Sequence, residues 1–327
     1  MRPLVIAHRG ASGYRPEHTA AAYELAILQG ADAVEPDLVS TRDGVLVVRH
    51  ENEISGTTDV ATHPEFADRR ATKVIDGVPV SGWFSEDFSW AELATLRARE
   101  RLGHLRPGSA KFDGRDGILR LTDLIGLLAA ADRRITMVAE LKHASYFAAI
   151  GLPLEQNFAA DIAAWARPDN LVVESFEQSA LTRVQELDVP GRVTFLAEAT
   201  GAPADQLAQF GTGARAYSDY LTDAGLARLA SEVDGVSVDK SLLFDSAPDG
   251  AVTGTTNLIE RARSAGLETY VWTLRAENQF LEKNFRHGPR ARDFGRWERE
   301  FDLIMRTGVD GVFADQPDLA LRARADL

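Results

Sequence analysis

The sequence predicts an α/β protein, namely a (β/α)8 TIM barrel with a small insertion domain after the second strand. Three observations favour this fold class. Apolar runs typical of buried strands alternate about eight times with segments of helical periodicity. The length of 327 residues suits one barrel that carries insertions. An open, doubly wound sheet is the alternative, but no Gly-rich dinucleotide-binding loop follows the first strand.

The first elements follow from short sequence signals. Leu4–His8 is a continuous apolar run, which is typical of a strand covered on both faces. Thr19 can cap a helix that ends at Gly30, and residues 33–39 form the second predicted strand. The Asp43-Gly44 pair then predicts a tight turn, after which a short apolar run leads to His50.

The remaining elements repeat the strand–helix order. The later strands are predicted at residues 135–141, 171–175, 193–196, 235–238, 267–274 and 311–313. The helices are predicted at residues 121–131, 154–165, 179–187, 203–210, 223–233, 257–265 and 301–307. This alternation predicts a parallel barrel.

One segment interrupts the alternation. Residues 51–119 are rich in turns and charge, and we interpret them as an insertion subdomain, with residues 1–50 and 120–327 forming the catalytic barrel. The insertion should contain an irregular hairpin at 78–83 and a short helix at 90–101. Its aromatic residues Trp83, Phe84, Phe88 and Trp90 need a surface to pack against. A second irregular stretch, 278–299, is expected to be a surface loop.

Composition excludes several classes of protein. The net charge of −13 argues against general electrostatic attraction to nucleic acid. With no cysteine, the chain has neither disulfides nor thiolate metal ligands. No apolar run approaches the ~18 residues of a membrane span, so no integral membrane association is expected. The sequence as it stands favours a cytoplasmic protein, although a secreted or periplasmic protein whose leader had been removed would look the same.

Glu35 and Asp37 stand two residues apart in the second predicted strand. Side chains of a strand alternate faces, so both carboxylates point to the same side. Two adjacent anions in a core would need a counter-charge, and a hard cation such as Ca²⁺ or Mg²⁺ provides one. A solvent-facing strand edge is the alternative for these two residues taken alone.

Charged residues follow the other early strands as well. Active sites of parallel α/β barrels lie at the carboxyl ends of the strands. The residues predicted there are His8 and Arg9, Glu35 and Asp37, Glu140 and Lys142, with His50 in the loop after strand two. The three acids suit one divalent cation, Arg9 and Lys142 suit a phosphate, and the two histidines suit acid–base catalysis. The sequence therefore predicts phosphodiester cleavage.

These residues stand in motifs that resemble those of the glycerophosphodiester phosphodiesterases. The motifs are His8-Arg9-Gly10, Pro16-Glu17-His18-Thr19, Glu35-Pro36-Asp37, His50-Glu51, Glu140-Leu141-Lys142, Ser175-Phe176, Val271-Trp272-Thr273 and Gly308-Val309-Asp310-Gly311. Residues 142–154 are similar to the longer, periplasmic-type branch. The resemblance implies hydrolysis of glycerophosphodiesters to glycerol 3-phosphate and an alcohol. It also implies one divalent cation, with Ca²⁺ favoured over Mg²⁺.

The same resemblance implies roles for single residues. The nucleophile would be the substrate's free hydroxyl next to the phosphodiester, or a metal-held water. One histidine would accept its proton and the other would protonate the leaving alcohol; which does which is open, with His50 favoured as base and His8 as acid. Glu17 would orient Arg9 or a histidine. Phe176 and Trp272 would wall the glycerol pocket, although Trp272 equally suits a packing role at the barrel mouth. The expected partner is a small-molecule substrate, and a homodimer is also considered.

Two positions depart from the family pattern. His18 stands where the family has Asn, and Glu51 where it has Asp. His18 is expected to face solvent. The remaining histidines, His63, His104, His143 and His287, are expected at the surface or in the insertion, outside catalysis.

Two rival functions remain. A phospholipase D-type hydrolase of lysophospholipids or sphingolipids would need an exposed apolar rim or an interfacial helix, which the sequence does not reveal. A non-catalytic phosphodiester-binding barrel would lack at least one of the five main site residues, and all five are present: His8, Glu35, Asp37, His50 and Glu140.

Overall fold

The computed structural model describes residues 2–327, and its centre is a closed barrel of eight parallel strands. In chain order these strands are Leu4–His8, Ala33–Glu35 with Asp37–Ser40, Thr136–Leu141, Leu171–Ser175, Arg192–Ala197, Gly235–Asp239, Glu268–Leu274 and Gly311–Ala314. The eighth strand pairs with the first, from Leu4 opposite Gly311 to Ala7 opposite Ala314. The predicted fold class is confirmed.

The second barrel strand is interrupted at Pro36. Its first half, Ala33–Glu35, pairs with the first barrel strand, while Asp37–Ser40 pairs with the third and, antiparallel, with Leu46–Val48. Proline has no N–H to donate, which explains why the ladder breaks there. The continuous strand predicted at 33–39 was therefore wrong in this detail, whereas the turn and the return strand before His50 are confirmed.

Strand register aligns the acids. His8 lies opposite Glu35, Asp37 opposite Glu140, and Glu140 opposite Glu174. Neighbouring strands are about 4.8 Å apart, so side chains at the same level are brought close together. Small and apolar side chains fill the barrel below them, among them Ile6, Val138 and Phe313.

Helices surround the barrel. Their bounds are Ala20–Gln29, Trp90–Leu93, Leu121–Ala129, Ala144–Ala149, Leu154–Ile162, Gln178–Glu186, Ala204–Phe210, Tyr217–Tyr220, Asp223–Leu229, Leu258–Ser264, Trp297–Met305 and Pro317–Ala325. The helix predicted at 90–101 was too long, because Ala94 already closes it. Three helices were not predicted: Ala144–Ala149, Tyr217–Tyr220 and Pro317–Ala325. None of the helices within residues 2–327 has the length and apolar character needed to span a bilayer.

Residues 51–119 form a hairpin, Ala71–Ile75 with Val78–Gly82, and short helical turns. Phe84 and Phe88 are fully buried, and Phe66 and Phe88 join the same core as the barrel. The Ser85 hydroxyl donates a hydrogen bond to the Ser40 carbonyl, at 2.9 Å. The insertion therefore packs directly on the second barrel strand. Its independence as a subdomain stays a prediction.

The stretch 278–299 is not a plain surface loop. Leu281 and Phe285 are buried, and the Asn278 side chain hydrogen-bonds the backbone of His287 and Arg290. The helix Trp297–Met305 also begins inside this stretch. The prediction missed these apolar anchors because charged residues surround them in sequence. A further small hairpin, Phe244–Ser246 with Val252–Thr255, lies outside the barrel sheet.

Candidate active site

A cavity of about 580 Å³ opens at the carboxyl ends of the barrel strands. It brings together eight of the ten site residues predicted from sequence, which are His8, Arg9, Glu35, His50, Glu140, Lys142, Phe176 and Trp272. The other two, Glu17 and Asp37, lie behind them in contact with Arg9. The predicted residues therefore converge on one place, although they come from distant parts of the chain.

Three buried carboxylates form the centre of the cavity. Glu35, Glu140 and Glu174 each offer an oxygen within 4.8 Å of the others. Glu174 was missed by the sequence reasoning, which considered only Ser175 and Phe176 at the end of the fourth strand. The available signal was an acid inside an otherwise apolar strand, Leu171–Ser175.

The electrostatics of these acids fit a cation. Burial and the neighbouring acids raise the pKa of Glu35 and of Glu174 well above the ordinary value, and burial raises the pKa of Glu140 to about 8. Glu174 Oε2 is buried and has no hydrogen-bond partner among residues 2–327. An all-oxygen donor set with surplus negative charge suits a hard divalent cation.

Asp37 lies beside this cluster and is held by other groups. Its Oδ2 contacts His18 Nε2 at 2.8 Å and Arg9 Nε at 3.3 Å. Although burial alone would raise the pKa of Asp37, His50, Arg9 and the His18 hydrogen bond hold it well below the ordinary value. The predicted role of Asp37 as a metal ligand stays a prediction.

His18 does not face solvent, so that expectation was wrong. Its side chain is fully buried, and its Nδ1 lies 2.8 Å from the Tyr23 hydroxyl. The backbone of His18 adopts a positive φ of 60°, which turns the imidazole inward between Tyr23 and Asp37. The residue in place of the family's Asn therefore orients an acid of the site.

Arg9 is oriented by acids on two sides. Its backbone N–H donates to Glu35 Oε2 at 2.8 Å, and its Nη1 donates to Glu17 Oε1 at 3.2 Å. Glu17 in turn accepts a hydrogen bond from Arg101 of the insertion, at 2.6 Å. Arg9 and Arg101 outweigh burial and lower the pKa of Glu17. The cavity thus retains a fixed positive charge at Arg9.

His8 is held by Asp315, which follows the eighth barrel strand. His8 Nδ1 lies 2.6 Å from Asp315 Oδ1, and Asp315 Oδ2 accepts hydrogen bonds from Arg106 and Arg275, at 2.6 and 2.7 Å. Burial and the charge of Arg9 lower the pKa of His8 to about 4. Asp315 was also missed, although its place after a strand is the signal used for the other acids.

His50 lies between Glu51 and Lys142. Its Nδ1 is 2.7 Å from Glu51 Oε1, and its Nε2 is 3.4 Å from Lys142 Nζ, which also contacts Glu140 Oε1 at 2.9 Å. Burial and the charges of Arg9 and Lys142 lower the pKa of His50 to about 3. The side chain is 28% exposed, so this imidazole is open to the cavity.

His143 also lines the cavity, contrary to the expectation that it lies away from the site. Its Nε2 contacts Glu51 Oε2 at 3.1 Å and its Nδ1 contacts Asp76 Oδ2 at 2.6 Å. It follows the third barrel strand by two residues, where a positive φ of 52° turns it back to the site. Of the others, His63 pairs with Asp59 in the insertion, His104 also lies in the insertion, and His287 is exposed.

Aromatic side chains form one wall. Phe176 packs edge-on against Trp272 and Tyr217, with ring centroids 5.8 and 6.2 Å apart, and Lys142 Nζ lies 5.5 Å from the Phe176 ring centre. Trp272 Nε1 is buried and finds no hydrogen-bond partner within the described residues. The wall is mainly apolar, and the Trp272 indole N–H is left unpaired within it.

Residues 8–319 match the sequence model of the glycerophosphoryl diester phosphodiesterase family. The chain belongs to this family. This confirms the glycerophosphodiester phosphodiesterase activity predicted from the motifs. The alternative hypothesis of a non-catalytic phosphodiester-binding barrel is thereby not supported.

Known relatives support the family assignment. A glycerophosphodiester phosphodiesterase of Arabidopsis thaliana is 29% identical over 96% of this chain and 84% of its own. One from Bacillus subtilis is 25% identical over 97% and 85%. A phosphodiesterase from Oleispira antarctica, solved with its product sn-glycerol-3-phosphate, superposes with a TM-score of 0.65 at 21% identity, covering 99% of this chain and 97% of that one. At that identity the likeness shows the fold.

In this glycerophosphodiester phosphodiesterase, the two residues that depart from the family pattern both contact groups of the active site. His18 holds Asp37, and Glu51 reaches both His50 and His143.

Proposed function

We propose that the enzyme hydrolyses glycerophosphodiesters to glycerol 3-phosphate and an alcohol with one divalent cation, Ca²⁺ in preference to Mg²⁺. The observation that carries this proposal is the convergence of two imidazoles, Arg9, Lys142 and three buried acids on one cavity. Glu35, Glu140 and Glu174 would hold the cation, with Asp37 as the further ligand predicted from sequence. The bound cation would offset negative charge on the phosphate.

The remaining chemistry belongs to this chain's own residues. Arg9 and Lys142 attract the phosphodiester and stabilise charge that develops on its oxygens. Glu17 keeps Arg9 in place, and Phe176 and Trp272 wall the glycerol moiety.

The two histidines divide the proton transfers. An ammonium can only donate a hydrogen bond, so Lys142 beside His50 Nε2 favours a lone pair on that nitrogen. We therefore assign His50 as the base that accepts the nucleophile's proton. Burial and Arg9 lower the pKa of His8, whereas Asp315 at Nδ1 opposes that shift. Asp315 therefore favours the protonated form that the acid needs in order to protonate the leaving alcohol.

The test is loss of activity in two variants. We expect His8→Ala and His50→Ala each to abolish release of glycerol 3-phosphate from glycerophosphocholine, at an unchanged melting temperature. EDTA should remove the wild-type activity and Ca²⁺ should restore it. Turnover close to wild type in either variant, or full activity in metal-stripped protein, would contradict the proposal.

A phospholipase D-type activity is the second candidate, favoured by one observation. The helix Ala204–Phe210 has no buried residue, its Leu207 lines the cavity at 45% exposure, and Phe210 is 52% exposed. This apolar stripe beside the cavity could contact an acyl chain. Choline release from lysophosphatidylcholine at a rate above that from glycerophosphocholine would favour this candidate.

A further inference from the structure

The insertion touches the active site through charged side chains. Arg101 and Arg106 contact the acids that hold Arg9 and His8, and Asp76 reaches His50 through two intermediate side chains. Other ion pairs of the insertion, such as Lys73 with Glu86, stay away from these groups. The charged contacts of the insertion with the barrel therefore include three that lead to His50, Arg9 and His8.

The first contact supports His8. Arg106 donates from Nη2 to Asp315 Oδ2 at 2.6 Å and from Nε to Glu277 Oε1 at 2.8 Å, and Asp315 Oδ1 meets His8 Nδ1 at 2.6 Å. The Arg106 side chain is only 5% exposed, so its hydrogen bonds are made with these protein groups and not with bulk water. Without Arg106, Asp315 would retain Arg275 alone as a cationic partner and would hold His8 less firmly.

The second contact supports Arg9. Arg101 Nε donates to Glu17 Oε2 at 2.6 Å, and Glu17 accepts from Arg9 Nη1 at 3.2 Å. Glu17 thus bridges two guanidinium groups, one from the barrel and one from the insertion. Such charge-assisted bonds restrict the rotation of each side chain.

The third contact supports His50 through two intermediates. Asp76, in the turn of the insertion hairpin, meets His143 Nδ1 at 2.6 Å; His143 Nε2 meets Glu51 Oε2 at 3.1 Å. The other Glu51 oxygen lies 2.7 Å from His50 Nδ1. Asp76 and His143 both adopt positive φ, at 49° and 52°, which side chains of L-residues rarely tolerate without compensating contacts.

We propose that the insertion is a positioning element of the active site, which orients His50 through Asp76 and His143, Arg9 through Arg101, and His8 through Arg106. The inference rests on the catalytic roles proposed for His8 and His50. Groups behind a reacting side chain fix its orientation and tautomer, and losing one typically lowers activity by about 10- to 100-fold. Arg101 and Arg106 lie outside the cavity lining, and Asp76 lines the cavity with its carboxylate bonded to His143. All three therefore act on the reacting groups through other side chains.

The test compares Asp76→Asn, Arg101→Gln and Arg106→Lys with Arg99→Gln, a control in the same insertion. Arg99 is 50% exposed, and the nearest acid oxygen, on Asp113, is 4.0 Å away. We expect kcat to fall about 10- to 100-fold in the three variants, with KM for glycerophosphocholine and the melting temperature close to wild type. Arg99→Gln should match wild type.

A double variant separates orientation from general damage. Because Asp76 and His143 act in one chain of contacts, Asp76→Asn with His143→Gln should lose no more activity than His143→Gln alone. Independent, multiplying losses would contradict the chain. So would turnover of all three single variants at the level of Arg99→Gln while His8→Ala and His50→Ala are inactive. Activity in the two histidine variants would instead overturn the proposed function.

Discussion

The register between neighbouring barrel strands places the acidic residues of the site side by side. Glu140 lies opposite Asp37 on one side and opposite Glu174 on the other, so one level of the barrel carries three carboxylates. Burial makes this costly unless a cation or protons offset the charge. Glu174, whose Oε2 has no partner within residues 2–327, is therefore as strong a candidate ligand as the acids predicted from sequence.

The role of Glu174 can be tested by direct binding. We expect Glu174→Gln to weaken Ca²⁺ binding by at least about tenfold, because affinity depends on the number of charged ligands. The measurement is calorimetric titration of metal-stripped protein. Glu177→Gln is the matched control, since Glu177 also lines the cavity but lies outside the three-acid cluster. Equal affinity in Glu174→Gln and wild type would remove Glu174 from the ligand set.

In the loop after the first barrel strand, the backbone conformation places Arg9 in the active site. Arg9 and Gly10 both have positive φ, which turns the chain sharply so that the Arg9 N–H points at Glu35. Gly10 packs so closely on the first helix, Ala20–Gln29, that an added Cβ would lie 2.7 to 2.9 Å from Ala22. A side chain at this position conflicts with both the φ angle and the contact.

We accordingly expect Gly10→Ala to lower the free energy of unfolding by about 2 to 4 kcal/mol, from left-handed strain together with overpacking. Denaturant unfolding followed by circular dichroism measures the change. Gly108→Ala is the control, since Gly108 has an ordinary φ of −69° and open space around it. Similar stability of both variants would mean that the loop relaxes without cost.

Element boundaries show where local patterns stop being informative. The strand Leu171–Ser175 and the helix start at Thr19 agree with prediction because a continuous apolar run and a capping hydroxyl are local signals. The helix predicted at 90–101 and the loop at 278–299 were wrong because their ends depend on packing. Asp59, distant in sequence, accepts a hydrogen bond from the Arg97 N–H through Oδ1 and donates its own N–H to the Arg97 carbonyl, so Arg97 pairs with another segment of the insertion instead of continuing the helix.

For the whole molecule, the charge and burial of the three acids predict that binding of the proposed cation depends on pH. Without a cation, burial raises the pKa of Glu140 to about 8, and the pKa values of Glu35 and Glu174 are raised as well. Carboxyls with raised pKa keep their protons at neutral pH, so a cation must displace protons to bind. We therefore expect the affinity for a divalent cation to rise as the pH increases towards 8 and to fall as the pH decreases.

A cation that binds only the folded state stabilises it in proportion to the logarithm of its affinity. We expect Ca²⁺ to raise the melting temperature more at pH 8 than at pH 6, and titrations in two buffers of different ionisation enthalpy should reveal proton release. Glu140→Gln should reduce the difference between the two pH values. An equal increase at both pH values would argue that the acids are already ionised.

The fold class, the family and eight of the residues that line the cavity could be predicted from the sequence alone. These predictions follow from hydrophobic periodicity and from the rule that the carboxyl ends of the strands face the active site. Both are local signals, visible in short stretches such as His8-Arg9 and Glu140-Leu141-Lys142. That Glu174, Asp315 and His143 belong to the same site, and that His18 is buried, is visible only in the tertiary structure. Their partners lie far away along the chain, and such contacts depend on strand register, barrel closure and insertion packing, which no local pattern specifies.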